Sequence, residues 1–92
     1  MKQVAKWLTM NNIVFEISKD GCITIYLEKD CVWVNSFGEE MKFDKKITIR
    51  YDKYSGYGIY EQYAYSLTKT IIICKKHEFV LEKFKERFEI KD

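Results

Sequence analysis

Ile13-Val14-Phe15-Glu16-Ile17-Ser18-Lys19-Asp20-Gly21-Cys22-Ile23-Thr24-Ile25-Tyr26-Leu27-Glu28-Lys29-Asp30-Cys31-Val32-Trp33-Val34 decides the fold. Ile13, Phe15 and Ile17 alternate with Val14, Glu16 and Ser18. After Lys19-Asp20-Gly21, Ile23, Ile25 and Leu27 alternate with Thr24, Tyr26 and Glu28. After Lys29-Asp30, Val32 and Val34 alternate with Trp33 and Asn35. Period-two alternation broken by short polar turns predicts a β-meander over residues 13–36. A three-residue loop with Gly21 left-handed sets Ile17 opposite Ile23 and Phe15 opposite Ile25. A two-residue loop at Asp20-Gly21 would set Ile17 opposite Thr24 and mismatch the faces. A two-residue turn at Lys29-Asp30 pairs Leu27 with Val32, Ile25 with Val34 and Tyr26 with Trp33. Both hairpins then place the Ile/Val/Leu set on one face.

Working outward, residues 2–11 carry Val4, Ala5 and Leu8 on one side, with Trp7 alongside and Lys2, Gln3 and Lys6 opposite, the pattern of a short amphipathic helix. Asn11-Asn12 ends it, because asparagine tolerates the left-handed cap. Residues 36–46 (SFGEEMKFDKK) are expected to form a loop. Ile47, Ile49 and Tyr51, alternating with Thr48, Arg50 and Asp52, predict the next strand, and Lys53-Tyr54-Ser55-Gly56 a turn. Residues 57–67 fit a strand or a short helix, and tyrosine density favours strand. Thr70-Ile71-Ile72-Ile73-Cys74 reads as a buried strand. Over residues 76–90, Val80, Leu81, Phe84 and Phe88 form a helical apolar stripe. The expected architecture is a single α+β domain over residues 1–92. An N-terminal helix comes first, then a mostly antiparallel sheet of five to six strands, then a C-terminal helix packed on the sheet. Phe79 and Ile90 widen the last helix's apolar arc, which leaves room for a homodimer contact.

Ninety-two residues with 47% hydrophobic and 33% charged side chains describe a globular chain. No apolar run reaches the roughly 18 residues of a membrane span, and the first residues are too polar for a secretory leader. Three cysteines without framework spacing fit a reducing, cytoplasmic location. Net charge is +2, and arginine occurs only at positions 50 and 87, so a dedicated reader of base sequence is disfavoured. Abundant Lys, Ile, Tyr and Phe with little alanine point to an AT-rich genome, such as a low-GC bacterium or its phage.

Cys74 and His77 have ligand-like spacing, and Cys22 and Cys31 would complete a zinc set. The hairpin register separates Cys22 from Cys31 by roughly 20 Å, whereas zinc ligands lie about 2.3 Å from one ion. No metal or other cofactor is expected. His77 has no catalytic motif around it, Ser55-Gly56-Tyr57-Gly58 lacks the lysine of a phosphate loop, and no enzymatic activity is expected.

Tyr51, Tyr54, Tyr57, Tyr60, Tyr63 and Tyr65 fall within fifteen residues, with Arg50, Lys53 and Lys69 nearby. Tyrosine supplies rigid contact area with a polar tip. Alternation turns some of these rings away from the core, as it does Tyr26 and Trp33. The expected contact surface is therefore Tyr51, Tyr54, Tyr57, Tyr60, Tyr63, Tyr26, Trp33, Arg50 and Lys53. The competing expectation is that these rings only cover the sheet and pair across strands. Small AT-rich chains without catalytic motifs are common among phage and mobile-element proteins that bind and block a host or defence protein, as anti-CRISPR and anti-restriction proteins do. The function expected is thus a protein-binding module of inhibitor type. In such a module the acidic Glu39, Glu40 and Asp44 would imitate phosphates if the partner handles nucleic acid. The alternative is a single-stranded nucleic-acid binder or transcriptional accessory using the exposed tyrosines and lysines.

Overall fold

The computed structural model describes residues 1–90. The elements run α1 (Lys2–Met10), β1 (Glu16–Ile17), β2 (Ile23–Val34), β3 (Glu40–Asp52), β4 (Gly56–Ala64), β5 (Leu67–Cys74) and α2 (His77–Arg87). The strands form one antiparallel sheet in the order β1-β2-β3-β4-β5. This is the α+β arrangement the sequence predicts, with five strands.

Alternation places Ile23, Ile25, Ile47, Ile49 and Ile59 on one face, and all five are buried. Val4 and Leu8 of α1 and Val80 and Phe84 of α2 close over them in a single core. Trp7 stacks on Phe84 with ring centroids 6.1 Å apart, which joins the two helices. Each fully buried aliphatic or aromatic side chain contributes roughly 1.5–3 kcal/mol. Both helices end the same way. Asn12 is left-handed, its N–H donates to the Thr9 carbonyl, and the Ile13 N–H donates to Leu8. Glu89 is also left-handed, with Glu89 N–H to Glu86 and Ile90 N–H to Lys85. These are Schellman caps. Asn12 is the residue expected for the first.

The first hairpin has the predicted register. Ile17 faces Ile23, the Ser18 N–H donates to the Cys22 carbonyl, and Gly21 has φ +81°. Only residues 16 and 17 pair, so Phe15 packs against the core from outside the strand instead of opposite Ile25.

The second predicted turn does not form. Asp30 does adopt a left-handed conformation (φ 58°), but as an irregularity inside β2, where the register slips between Tyr26 and Cys31. The strand runs on to Val34. Leu27, Ile25 and Tyr26 therefore do not face Val32, Val34 and Trp33. Ile25 faces Ile47, Tyr26 faces Lys46, Val32 faces Lys42 and Trp33 faces Met41. The expected loop at 36–46 is mostly strand, and the reversal lies at residues 35–39. There the Asn35 N–H donates to the Glu39 carbonyl, and Gly38 takes φ +80°. Residues 57–67 resolve as β4 up to Ala64, a turn at Tyr65-Ser66, and the first residue of β5. The Thr70–Cys74 run is an edge strand rather than a buried one. Ile72 faces the helices, and Ile73, opposite Gly58, is 57% exposed.

Gly56 opens β4 with φ +85°, and a methyl group there would lie 2.3 Å from the Cys74 carbonyl oxygen. Gly21 has a similar φ with open space around it. Gly21→Ala should therefore cost about 1–2 kcal/mol, the left-handed penalty alone. Gly56→Ala adds a backbone collision and should cost at least twice as much. Urea unfolding of both variants checks this, and equal midpoints would contradict it.

Candidate functional site

The sheet has a face covered by the helices and a face that they leave open. Cross-strand pairing lays out the open face. One row runs Glu16, Thr24, Thr48, Tyr60, Thr70, and the next Tyr26, Lys46, Gln62, Thr68. Arg50 and Gly58 pair in the row on the other side of Thr48. This face is polar because no helix packs there.

The nine residues expected to form one surface fall into five places. Tyr26, Tyr60 and Arg50 are on the open face. Tyr57 is on the helix side and only 8% exposed, so it is a core residue and not a contact residue. Tyr51 pairs with it across the strands, with ring centroids 4.9 Å apart. Lys53 and Tyr54 lie in the β3–β4 turn. The Tyr54 N–H donates to Asp52, its carbonyl accepts from Lys75, and the Lys53 ammonium sits over its ring. Tyr63 is near the end of β4 with the Lys69 ammonium 5.7 Å from its ring centre. Trp33 is far along β2. Tyrosine spacing in sequence did not become a single surface, because neighbouring strand residues point to opposite faces.

What the chain does gather is an arm. β4 pairs with β3 only from Lys46 onward. Residues 28–45 therefore run past the sheet as a two-stranded ribbon for roughly 20 Å. At the arm's base, Glu28 and Lys45 form an ion pair at 3.5 Å, and Asp44 accepts the Asp30 N–H at 3.0 Å. Midway, Trp33 stacks on Tyr65 of the β4–β5 turn, with centroids 5.7 Å apart and planes within 13°. At the tip, Asn35 Oδ1 accepts from the N–H groups of both Phe37 and Glu39 at 2.9 Å. On this fixed turn Phe37 is 86% exposed, and Val32, Trp33 and Val34 are also exposed. Of these, only Trp33 was expected as a contact residue.

The arm carries five carboxylates against three lysines, on a chain of net charge +2. Glu39, Glu40 and Asp44 belong to it. Glu39 and Glu40 thus stand beside Phe37 at the tip, while Asp44 is held at the base.

The cysteines are free, and burial pushes the Cys74 thiol above its ordinary value, which lowers its reactivity. Among the described residues no three His, Cys, Asp or Glu side chains gather as a metal site, and no helix is long and apolar enough to cross a membrane. The chain matches no protein-family model, no curated protein and no solved structure.

Burial first, and then the neighbouring Tyr51, raises the Tyr57 phenol above the ordinary tyrosine value. The neutral ring therefore favours folding fully below about pH 10, and that stability is lost as pH rises through the raised value. Tyr57→Phe should flatten the fall in urea midpoint between about pH 9 and about pH 11.

Proposed function

We propose that the chain is a non-enzymatic protein-binding module whose contact element is the arm, with Phe37 and Trp33 as anchors. The observation that supports this is an aromatic side chain held out in water on a turn fixed by side-chain and backbone hydrogen bonds. Phe37 adds little to stability at that position, and with the exposed Val32 and Val34 it gives the arm an apolar surface of the kind that a partner covers. Because the turn is already fixed, little entropy is lost when it inserts into a partner. Val32 and Val34 add exposed apolar surface on one face of the ribbon, and the stacked Trp33 lies on the other. Glu39 and Glu40 stand beside Phe37. The complementary partner is a protein with an apolar cleft rimmed by lysine or arginine, as on proteins that handle nucleic acid. A small inhibitor of phage or mobile-element type fits that description, and its partner would lie in the cytoplasm of a low-GC bacterium.

The test is affinity capture from nuclease-treated lysate of such a bacterium, using wild type, Phe37→Ala, Trp33→Ala and Lys42→Ala as baits. Phe37→Ala should change folding stability by no more than about 0.5 kcal/mol, as exposed positions do. One stoichiometric protein should be held by wild type and by Lys42→Ala and lost with Phe37→Ala. A partner held equally by the Phe37→Ala bait would contradict the assignment.

A further inference from the structure

The open face of the sheet carries a second site, independent of the arm. Lys46 and Arg50 project from the same side of β3, four residues and so about 13 Å apart. Among the described residues neither has an ion-pair partner. Between them lies a hollow of about 310 Å³, lined by Lys46, Thr48, Arg50, Tyr60, Gln62 and Thr68. Every lining residue can donate a hydrogen bond, and none is a carboxylate. A second hollow, about 530 Å³, shares Arg50 and Tyr60 with the first, so the two form one trough along the strands.

Tyr60 gives the trough an aromatic floor. Its hydroxyl lies 2.5 Å from where a Cβ at position 58 would sit, and ring atoms Cε2 and Cζ lie 2.8 Å from it. The ring therefore reclines along the strand over Gly58, where any side chain would displace it. It remains partly exposed, and Arg50 lines both hollows with it.

Carboxylates bound the site. Glu16 is the main cause of the raised Tyr26 phenol, with burial and Asp44 behind it, so carboxylates stand at the Tyr26 end of the face, where Lys29 also lies over the ring. Asp20 and Asp52 line the far part of the second hollow, beyond Arg50. The stretch from Lys46 to Arg50 carries two cations and no carboxylate in its lining, which favours anionic groups there. The trough is shallow and open, unlike the enclosing pockets that hold small molecules by most of their surface. An extended chain with phosphates and flat bases fits it better.

We propose that this trough binds a short segment of single-stranded nucleic acid, with phosphates on Lys46 and Arg50 and one base stacked on Tyr60. Thr48 and Gln62 stand within the same hollow as hydrogen-bonding partners for the base edge or sugar.

The probe is a fluorescent oligothymidylate of about ten nucleotides, within the range of known single-strand site sizes, read by anisotropy across a salt series. Two phosphate contacts predict a log–log salt slope of about −1.4. Lys46→Glu and Arg50→Glu should each weaken binding about tenfold or more, with unchanged circular dichroism. Tyr60→Phe should keep the affinity, and Tyr60→Leu should lose about tenfold, the loss of one stacked base. Phe37→Ala should bind as wild type, which separates this site from the arm. A slope near zero, or equal binding by the Lys46→Glu and Arg50→Glu variants, would overturn the proposal. So would competition by oligoglutamate as strong as by unlabelled oligothymidylate, because that would make the trough a site for acidic peptides.

Discussion

Two short helices have to cover five strands, and they can cover only part of one face. α1 and α2 together supply Val4, Leu8, Val80 and Phe84 as fully buried side chains. They meet the isoleucines at 23, 25, 47, 49 and 59, which cluster where β2, β3 and β4 lie side by side. That contact is the hydrophobic core of the domain. Everything beyond it, the open face and the arm, is sheet without a covering layer.

The edge of the helix layer is marked by charge. Glu61 faces the helices from β4, opposite Ile47, with its side chain 12% exposed. Arg87 of α2 reaches it at 3.4 Å and Lys69 of β5 at 3.6 Å. A half-buried carboxylate held by two cations ties α2, β4 and β5 together where the apolar contacts end. Past that point a bare two-stranded ribbon has little intrinsic stability in water. The arm is instead braced by the Glu28–Lys45 pair, the Asp44 carboxylate and the Trp33–Tyr65 stack. Its apolar side chains can stay exposed because these contacts, and not their burial, hold it.

Much of this was legible. The isoleucine alternation gave the core face, Gly21 gave the first turn, and the stripe Val80, Leu81, Phe84 and Phe88 gave the last helix. The second turn was not legible from Lys29-Asp30, because a left-handed aspartate serves a bulge as well as a turn. A better signal was present. Ser18-Lys19-Asp20-Gly21-Cys22 and Asn35-Ser36-Phe37-Gly38-Glu39 share one plan: a polar residue, two more, then glycine. The Ser18 Oγ accepts the Cys22 N–H, as Asn35 Oδ1 accepts that of Glu39. Met41 and Phe43, alternating with Lys42 and Asp44, also announced a strand. The candidate surface was harder to see. Tyr57 and Tyr60 are three apart in sequence, yet one is in the core and the other on the open face. Which face the helices cover follows from the whole assembly and not from any local pattern.

The claim on which the rest turns is that residues 28–45 form a preformed ribbon with its tip at Asn35–Glu39. Nuclear Overhauser contacts in the free protein test it directly. The account predicts cross-strand contacts between Trp33 and Met41 and between the Trp33 and Tyr65 rings, with slowed exchange of the Asn35 amide. Contacts of Trp33 with Tyr26, across a turn at Lys29-Asp30, would contradict it.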